Sequence, residues 1–462
     1  MVGLGSLRTL WDDLRSSLWF LPGVMTVGAV VAAWSLLRAD RWVVASELEL
    51  GPWGYGGGAD SARQVLATIA GSIVTVTGVT FSITMVALVL AAGQYTPRVL
   101  RNFVRDRVNQ TVLGVFVGTF LFTLLVLRAI RAGDAAFVPA LAVTASIALA
   151  VISLGFFLYF LHHMANAIQV SNIIRNVARE THAEIDRTFE QAAGFTALPL
   201  LRGGWQPPTS GLRVAANKEG YVTRIATDAL IATARAHATA LDVVVVPGDF
   251  VSRGEAVAFA RGNPGERARL ADQVREAFHF DSQRSISQDP SYGFRQLVDI
   301  AVRALSPGVN DPTTACNCVD YLGGFLAHLA DLDWPAVELR DEDDAVRVIT
   351  PPGTFAAYVD LACSEIRHYG RADLATTVRL LEALRRAGEA TDRPDRRAAL
   401  RRAGEAILEG AGRSILSTVD REQIEESAER LARAIGDDPA GYRLGPLPFG
   451  QGFVKEGSRV HP

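Results

Sequence analysis

Residues 17–37, 65–92, 111–127 and 135–161 contain no Asp, Glu or Lys. Each run is long enough to cross a bilayer as a helix, which takes about 17 to 25 residues. The first run exceeds the roughly 7 to 15 residue core of a cleaved signal and has Pro22 near its start, so it reads as a retained span. Past the fourth run the period changes. Val170, Ile173 and Val177 recur at a, d, a spacing while charge rises toward the end, which predicts a helical stalk over 164–192.

A Gly- and Pro-rich break, "LRGGWQPPTSG", then marks a boundary. Beyond it "GYVTRI" reads as a strand, 228–238 as a helix, and "LDVVVVPGDFVSRGEAVAFA" as strand, turn, strand, turn, strand. This last pattern resembles the hairpins of lipoyl- and biotinyl-type domains. No lysine stands at the turn that would carry their cofactor, so only a small β-barrel-like geometry is inferred, and no cofactor. Runs rich in Ala, Leu, Glu and Arg predict helices over 354–367, 372–387, 396–411 and 421–434. The resulting layout is a four-helix transmembrane domain (1–163), the stalk (164–192), a cytoplasmic α+β domain (205–350) and a helical region (351–436). The tail, 437–462, has a composition that predicts disorder.

Composition agrees with that division. Hydrophobic residues make 49% of the chain and charged residues 21%, a mixture that suits apolar spans joined to a soluble domain. A net charge of -3 gives no electrostatic ground for a nucleic-acid partner. The loop "TPRVLRNFVRDRVNQ" carries Arg98, Arg101, Arg105 and Arg107 close to two membrane ends, which places it, both termini and the soluble half in the cytoplasm of a bacterial inner-membrane protein. The bias is moderate, because Arg38, Arg41, Arg63, Arg128 and Arg131 flank the outer loops. In the first of these, Trp42, Trp53 and Tyr55 suit the headgroup layer.

The motifs that would announce an enzyme are missing: there is no Walker loop, GxSxG elbow, HExxH or dinucleotide fingerprint. Cys316, Cys318 and Cys363 are sparse and odd in number, and residues two apart on a helix diverge by about 200°, so buried free thiols are expected rather than a metal site. His162 and His163 likewise read as interfacial polar residues. The stretch "RALSPGVNDPTTACNCVDYL" forms a corner between two helices: Pro307 and Gly308 stop the first, Asp311 can cap the second and Pro312 fits its first turn. Asn310 helps to hold the corner. Upstream, Arg295, Asp299 and Arg303 stand four apart as a ladder, read mainly as a solvated face and secondarily as a regulatory site.

Several segments are similar to a bacterial family of predicted membrane proteins, domain of unknown function 2254. They are "LRSSLWFLPG", "FSITMVALVLAAGQYTPRVLRNFVRDR", "LHHMANAIQVSNII", "GYVTRI" with "VVPGDFVSRGE", and "FRQLVDIAVRALSPGVNDPTTA". The resemblance implies a membrane topology with a soluble domain and carries no activity to individual residues. A function is therefore sought in the second span. At 100° per residue Thr68, Ser72, Thr75 and Ser82 share one sector, and Thr77, Thr80 and Thr84 lie nearly opposite. Helix packing and pore lining both account for such stripes. Pore lining would require a homo-oligomer in the lipid bilayer, with Arg98 and Arg101 at the cytoplasmic mouth favouring a small anion. The expectation is an oligomeric ion conduit with a cytoplasmic gating or assembly domain; a membrane-bound sensor or scaffold is the alternative. No carboxylate within the runs suggests proton coupling.

Overall fold

The computed structural model describes residues 19–46, 55–94, 106–131, 137–167, 169–193, 208, 210–262, 265–334, 338–351 and 353–445. The chain divides into two units, 1–173 and 174–462.

The first unit contains α1 (Phe20–Ala45), α2 (Ala59–Gln94), α3 (Arg107–Ala129) and α4 (Ala140–Ala167), all long and apolar enough to cross a membrane. α3 is the hub and packs against the other three. Its "GVFVG" segment explains how α1 comes so close. A Cβ on Gly114 would lie 2.6 Å from Met25 Sδ and 3.2 Å from the Pro22 backbone, and one on Gly118 would lie 3.4 Å from Ala29 Cβ. Small residues four apart let two helix backbones approach, which supplies the packing energy that apolar side chains alone do not provide in lipid. Phe116, Phe122 and Phe160 fill the interior of the bundle, while Val27, Val74, Phe81, Val151 and Leu158 are exposed on its outside. An apolar exterior is the one a bilayer solvates.

α1 runs past its apolar core to include Arg38, Asp40 and Arg41. Asp40 is buried, and its two oxygens accept from the backbone N–H groups of Leu141 (2.8 Å) and Ala142 (3.0 Å). It thereby satisfies donors that the first turn of α4 leaves open. The apolar runs themselves hold no carboxylate, but the helices extend past them: α1 takes in Asp40, engaged as a helix cap, and α2 has Asp60 in its first turn.

Most of α5 (Val170–Ala193) belongs to the second unit, its buried face formed by Ile174, Val177, Ala178 and Ile185. The strands are β1 (Leu212–Ala215), β2 (Gly220–Ile225), β3 (Leu241–Val243), β4 (Phe250–Val251), β5 (Ala256–Ala260), β6 (Phe278–Asp281), β7 (Glu338–Arg340) and β8 (Val346–Ile349). They form two sheets, in the orders β1-β5-β3-β8-β7 and β4-β2-β6. β3 pairs with β5 through Val243↔Ala258, but β4, between them in sequence, pairs with β2 through Gly220↔Val251. The glycine turns at Gly248 (φ 99°) and Gly254 (φ 88°) send β4 out to the second sheet and bring the chain back. Among the described residues no closed barrel forms, so the barrel-like geometry expected from the hairpin pattern is replaced by two open sheets. α6 (Thr227–Ala236) and α7 (Arg267–Glu276) cover them around Val222, Leu230, Leu241, Val257, Leu270 and Val348.

The remainder is helical: α8 (Pro290–Ala304), α9 (Pro312–Asp331), α10 (Phe355–Gly370), α11 (Leu374–Glu389), α12 (Pro394–Ser414) and α13 (Thr418–Ile435). The fully buried Arg396 of α12 donates to the carbonyls of Leu329 (3.3 Å), Ala330 and Leu332 (2.6 Å), closing the C-terminal end of α9. Of the 437–462 tail, residues 437–445 are described, and Tyr442 is buried with its hydroxyl donating to Asp437.

Candidate functional site

The hydroxyls of α2 separate into an outward and an inward set. Thr68, Ser72, Thr75 and Ser82 are exposed, in line with Gly71 and Gly78, while Thr80 is buried and Thr77 and Thr84 are half-buried toward the bundle. Most of them are satisfied within their own helix. Thr68 donates to the Gln64 carbonyl (2.8 Å), Thr75 to Gly71 (3.1 Å), Thr77 to Ile73 (2.6 Å) and Thr84 to Thr80 (2.8 Å). Such bonds to the fourth preceding carbonyl hide the polarity of the group. Thr80 Oγ1 is different: it is buried without a hydrogen-bond partner among the described residues. Neither Gly71 nor Gly78 has an atom within 4 Å of where a Cβ would stand, so the outward stripe is uncovered in a single copy.

Arg98 and Arg101, the candidate mouth charges, lie outside the described residues. Further along the chain Asp106 caps α3 by accepting from Val108 N (2.8 Å), and its second oxygen lies 2.5 Å from His163 Nε2. His162 meets Asn166 at 3.0 Å instead. The adjacent histidines thus diverge, as their helical spacing requires.

At the corner, α8 ends at Ala304 and α9 begins at Pro312. Asn310 takes the left-handed conformation (φ 49°), which lets its N–H reach the Ser306 carbonyl (2.9 Å) and the next N–H, of Asp311, reach that of Ala304 (2.8 Å). Asp311 then accepts from Thr314 N (3.1 Å) and Thr314 Oγ1 (2.6 Å). With both its oxygens occupied, the cap takes up Thr314 N, one of the donors that an anion would need. Arg295 and Asp299 are drawn together: Arg295 Nε donates to Asp299 (2.7 Å), and its terminal nitrogens clasp Glu365 of α10, one of them at 2.8 Å. Asp299 is buried and Glu365 is partly exposed, so Arg295 links two carboxylates and ties α8 to α10 instead of standing in a ladder on one helix. Hydrogen bonding to Glu365 raises the guanidinium pKa further above its ordinary value. Arg303 follows in the last turn of α8.

Sequence reasoning did not find the clasp that holds α5. A Cβ on Gly293 of α8 would stand 1.9 Å from Thr181 Oγ1, so α5 and α8 touch backbone to side chain. Below that point Glu184 accepts from Gln288 N (2.6 Å), and the Gln288 side chain accepts from Ile225 N (2.8 Å) at the end of β2. Asp186 meets His328 of α9 at 2.8 Å. His182, beside them, is held below the usual histidine pKa by burial and then by His328. The glycine inside the α8 pattern was the available signal, since a glycine in a helix interior is unfavourable unless something packs on it.

Cys316, Cys318 and Cys363 are buried free thiols. Burial raises all three, Cys363 to about 12, which leaves them protonated and unreactive. Among the described residues no group of three or more His, Cys, Asp or Glu is placed to hold a metal ion.

A family described as "Predicted membrane protein (DUF2254)" matches residues 15–386. Uncharacterized proteins of Mycobacterium bovis and of Mycobacterium tuberculosis H37Rv are each 29% identical over 456 residues, covering 97% of this chain and 86% of theirs. No solved structure matches.

Proposed function

The chain belongs to the DUF2254 family of predicted membrane proteins, and on that premise we propose that it is an oligomeric conduit for a small ion, without enzymatic activity, whose soluble domain gates or assembles it. One observation carries this reading. The outward stripe of α2, Thr68, Gly71, Ser72, Thr75, Gly78 and Ser82, is small, hydroxyl-bearing and uncovered in one copy. The bundle interior cannot serve instead, because Phe116, Phe122 and Phe160 fill it. Water would have to pass between copies, along neighbouring α2 helices. Arg98 and Arg101 would then favour anions at the mouth, on the cytoplasmic side of a bacterial inner membrane with both termini inside.

The back-bonding of Thr68 and Thr75 favours a second reading, a sensor or scaffold in which the same stripe packs dry. Oligomeric state in detergent and single-channel recording separate the two. A conduit gives an oligomer with a current that Thr75→Cys makes sensitive to a thiol reagent; the three native cysteines are buried and give little background. A silent bilayer, together with a monomer in detergent, ends the conduit reading and leaves the sensor or scaffold. Labelling of a cysteine placed near Gly220 by an impermeant reagent in intact cells would refute the topology.

A further inference from the structure

A cleft of about 660 Å³ opens at the end of the bundle where α1 and α3 finish and α4 begins. On α1 its wall is made by Val30, Trp34, Leu37 and Arg41, spaced four, three and four apart and so on one helix face. From Val30 to Arg41 that face runs roughly 16 Å along the axis and turns from apolar to cationic. The facing wall repeats the order: Leu125 of α3 comes first, then Arg128, then Arg131 just past the helix end.

Arg41, Arg128 and Arg131 therefore converge on one opening. None of them has a carboxylate partner among the described residues. The acid next to Arg41, Asp40, is buried and has both oxygens taken by the start of α4. Arg38 adds a fourth guanidinium nearby, stacked 4.2 Å over the Trp34 ring. These are the arginines that weaken the inside bias of the loops, and a ligand that needs them on this side accounts for their position.

We propose that this cleft binds an anionic phospholipid, with the phosphate held by Arg41, Arg128 and Arg131 and an acyl chain lying along Val30, Trp34 and Leu125. The planar guanidinium fork matches phosphate oxygens. An apolar wall leading into the bilayer distinguishes the site from one for a free anion, which would leave Val30 and Trp34 uncovered. Three guanidinium groups without a carboxylate partner among the described residues favour a net-negative headgroup over a zwitterionic one.

The test is native mass spectrometry of the full-length protein in detergent, given equal amounts of phosphatidylglycerol and phosphatidylcholine. Wild type should retain phosphatidylglycerol in excess, by roughly fivefold for each arginine engaged. The triple substitution Arg41→Gln, Arg128→Gln, Arg131→Gln should bring the two lipids to parity, while Arg107→Gln at the far end of α3 should keep the excess. If the triple variant does not fold, the three single variants carry the test, each lowering the excess. Equal retention by wild type, an excess untouched by every variant, or displacement of the lipid by millimolar inorganic phosphate would each overturn the proposal.

Discussion

Gly293→Ala probes the tightest glycine contact among the described residues of the second unit. In a free helix the change would be favourable by about 1 kcal/mol, because alanine is the better helix former. Here the new methyl would lie 1.9 Å from Thr181 Oγ1 and 2.8 Å from both Thr181 Cβ and Cγ2. Carbon atoms rest at about 3.5 to 4 Å, so α5 and α8 must part by on the order of 1 Å. Overpacking of this kind costs about 1 to 3 kcal/mol, and a clash with a Cβ, which no rotamer change relieves, belongs at the upper end. The net expectation is a loss of about 1 to 2 kcal/mol, or a Tm lower by about 2 to 6 °C for a unit of this size. Thiol labelling during heating of the full-length protein reads this unit alone, since all three cysteines are in it and buried. Thr181→Ala in the Gly293→Ala background removes Oγ1 and Cγ2 but leaves Cβ, so it should recover part of the loss and no more. A Gly293→Ala protein as stable as wild type, or a double variant no better than the single, would refute the close packing.

The same assay carries three further expectations. Asp311→Ala removes a cap with two hydrogen bonds and should lower stability by about 1 kcal/mol, with Asp311→Asn close to wild type; an unchanged Tm would remove the structural account of the corner. Arg396→Met should cost about 3 kcal/mol, because it leaves the last carbonyls of α9 buried without a donor, and a loss below about 1 kcal/mol would show that water reaches them. His182 and His279 both have folded pKa values pushed below the usual histidine value, chiefly by burial. The unfolded chain therefore takes up protons first, and stability should decline as pH falls from about 6.5 toward the folded values, then level off; His182→Gln with His279→Gln should flatten that slope, and a Tm that rises on acidification would contradict the sign.

The apolar spans were legible because a bilayer demands an uninterrupted run, and nothing distant in sequence can supply it. Their ends were not. Asp40 and Arg41 look like loop residues until the start of α4 is placed on the Asp40 carboxylate. The strands illustrate the same limit: β3 and β4 are three and two residues long, and period alone does not tell which sheet so short a strand joins. Arg295 and Asp299 had the spacing of a surface ladder, but Glu365, 70 positions away, makes Arg295 a tie between α8 and α10.

Two Asp-Pro dipeptides, Asp289-Pro290 and Asp311-Pro312, separate local from distant control most clearly. Both place proline in the first turn of a helix, and local rules assign both aspartates to capping. Asp311 does cap, because the donors within its reach are Thr314 N and Oγ1. Asp289 makes no side-chain cap; Arg284 and Ser291 bind its oxygens, and burial raises its pKa despite the arginine. The turn at Gly248 presses against that pair, leaving only 2.5 Å between a Cβ there and Asp289 Oδ2. The cap at Asp311 depends on neighbours three residues away, whereas Asp289 is committed to a contact with a turn 41 residues upstream. Identical local sequence therefore specifies the helix start in both cases, and the tertiary neighbours decide what the carboxylate does.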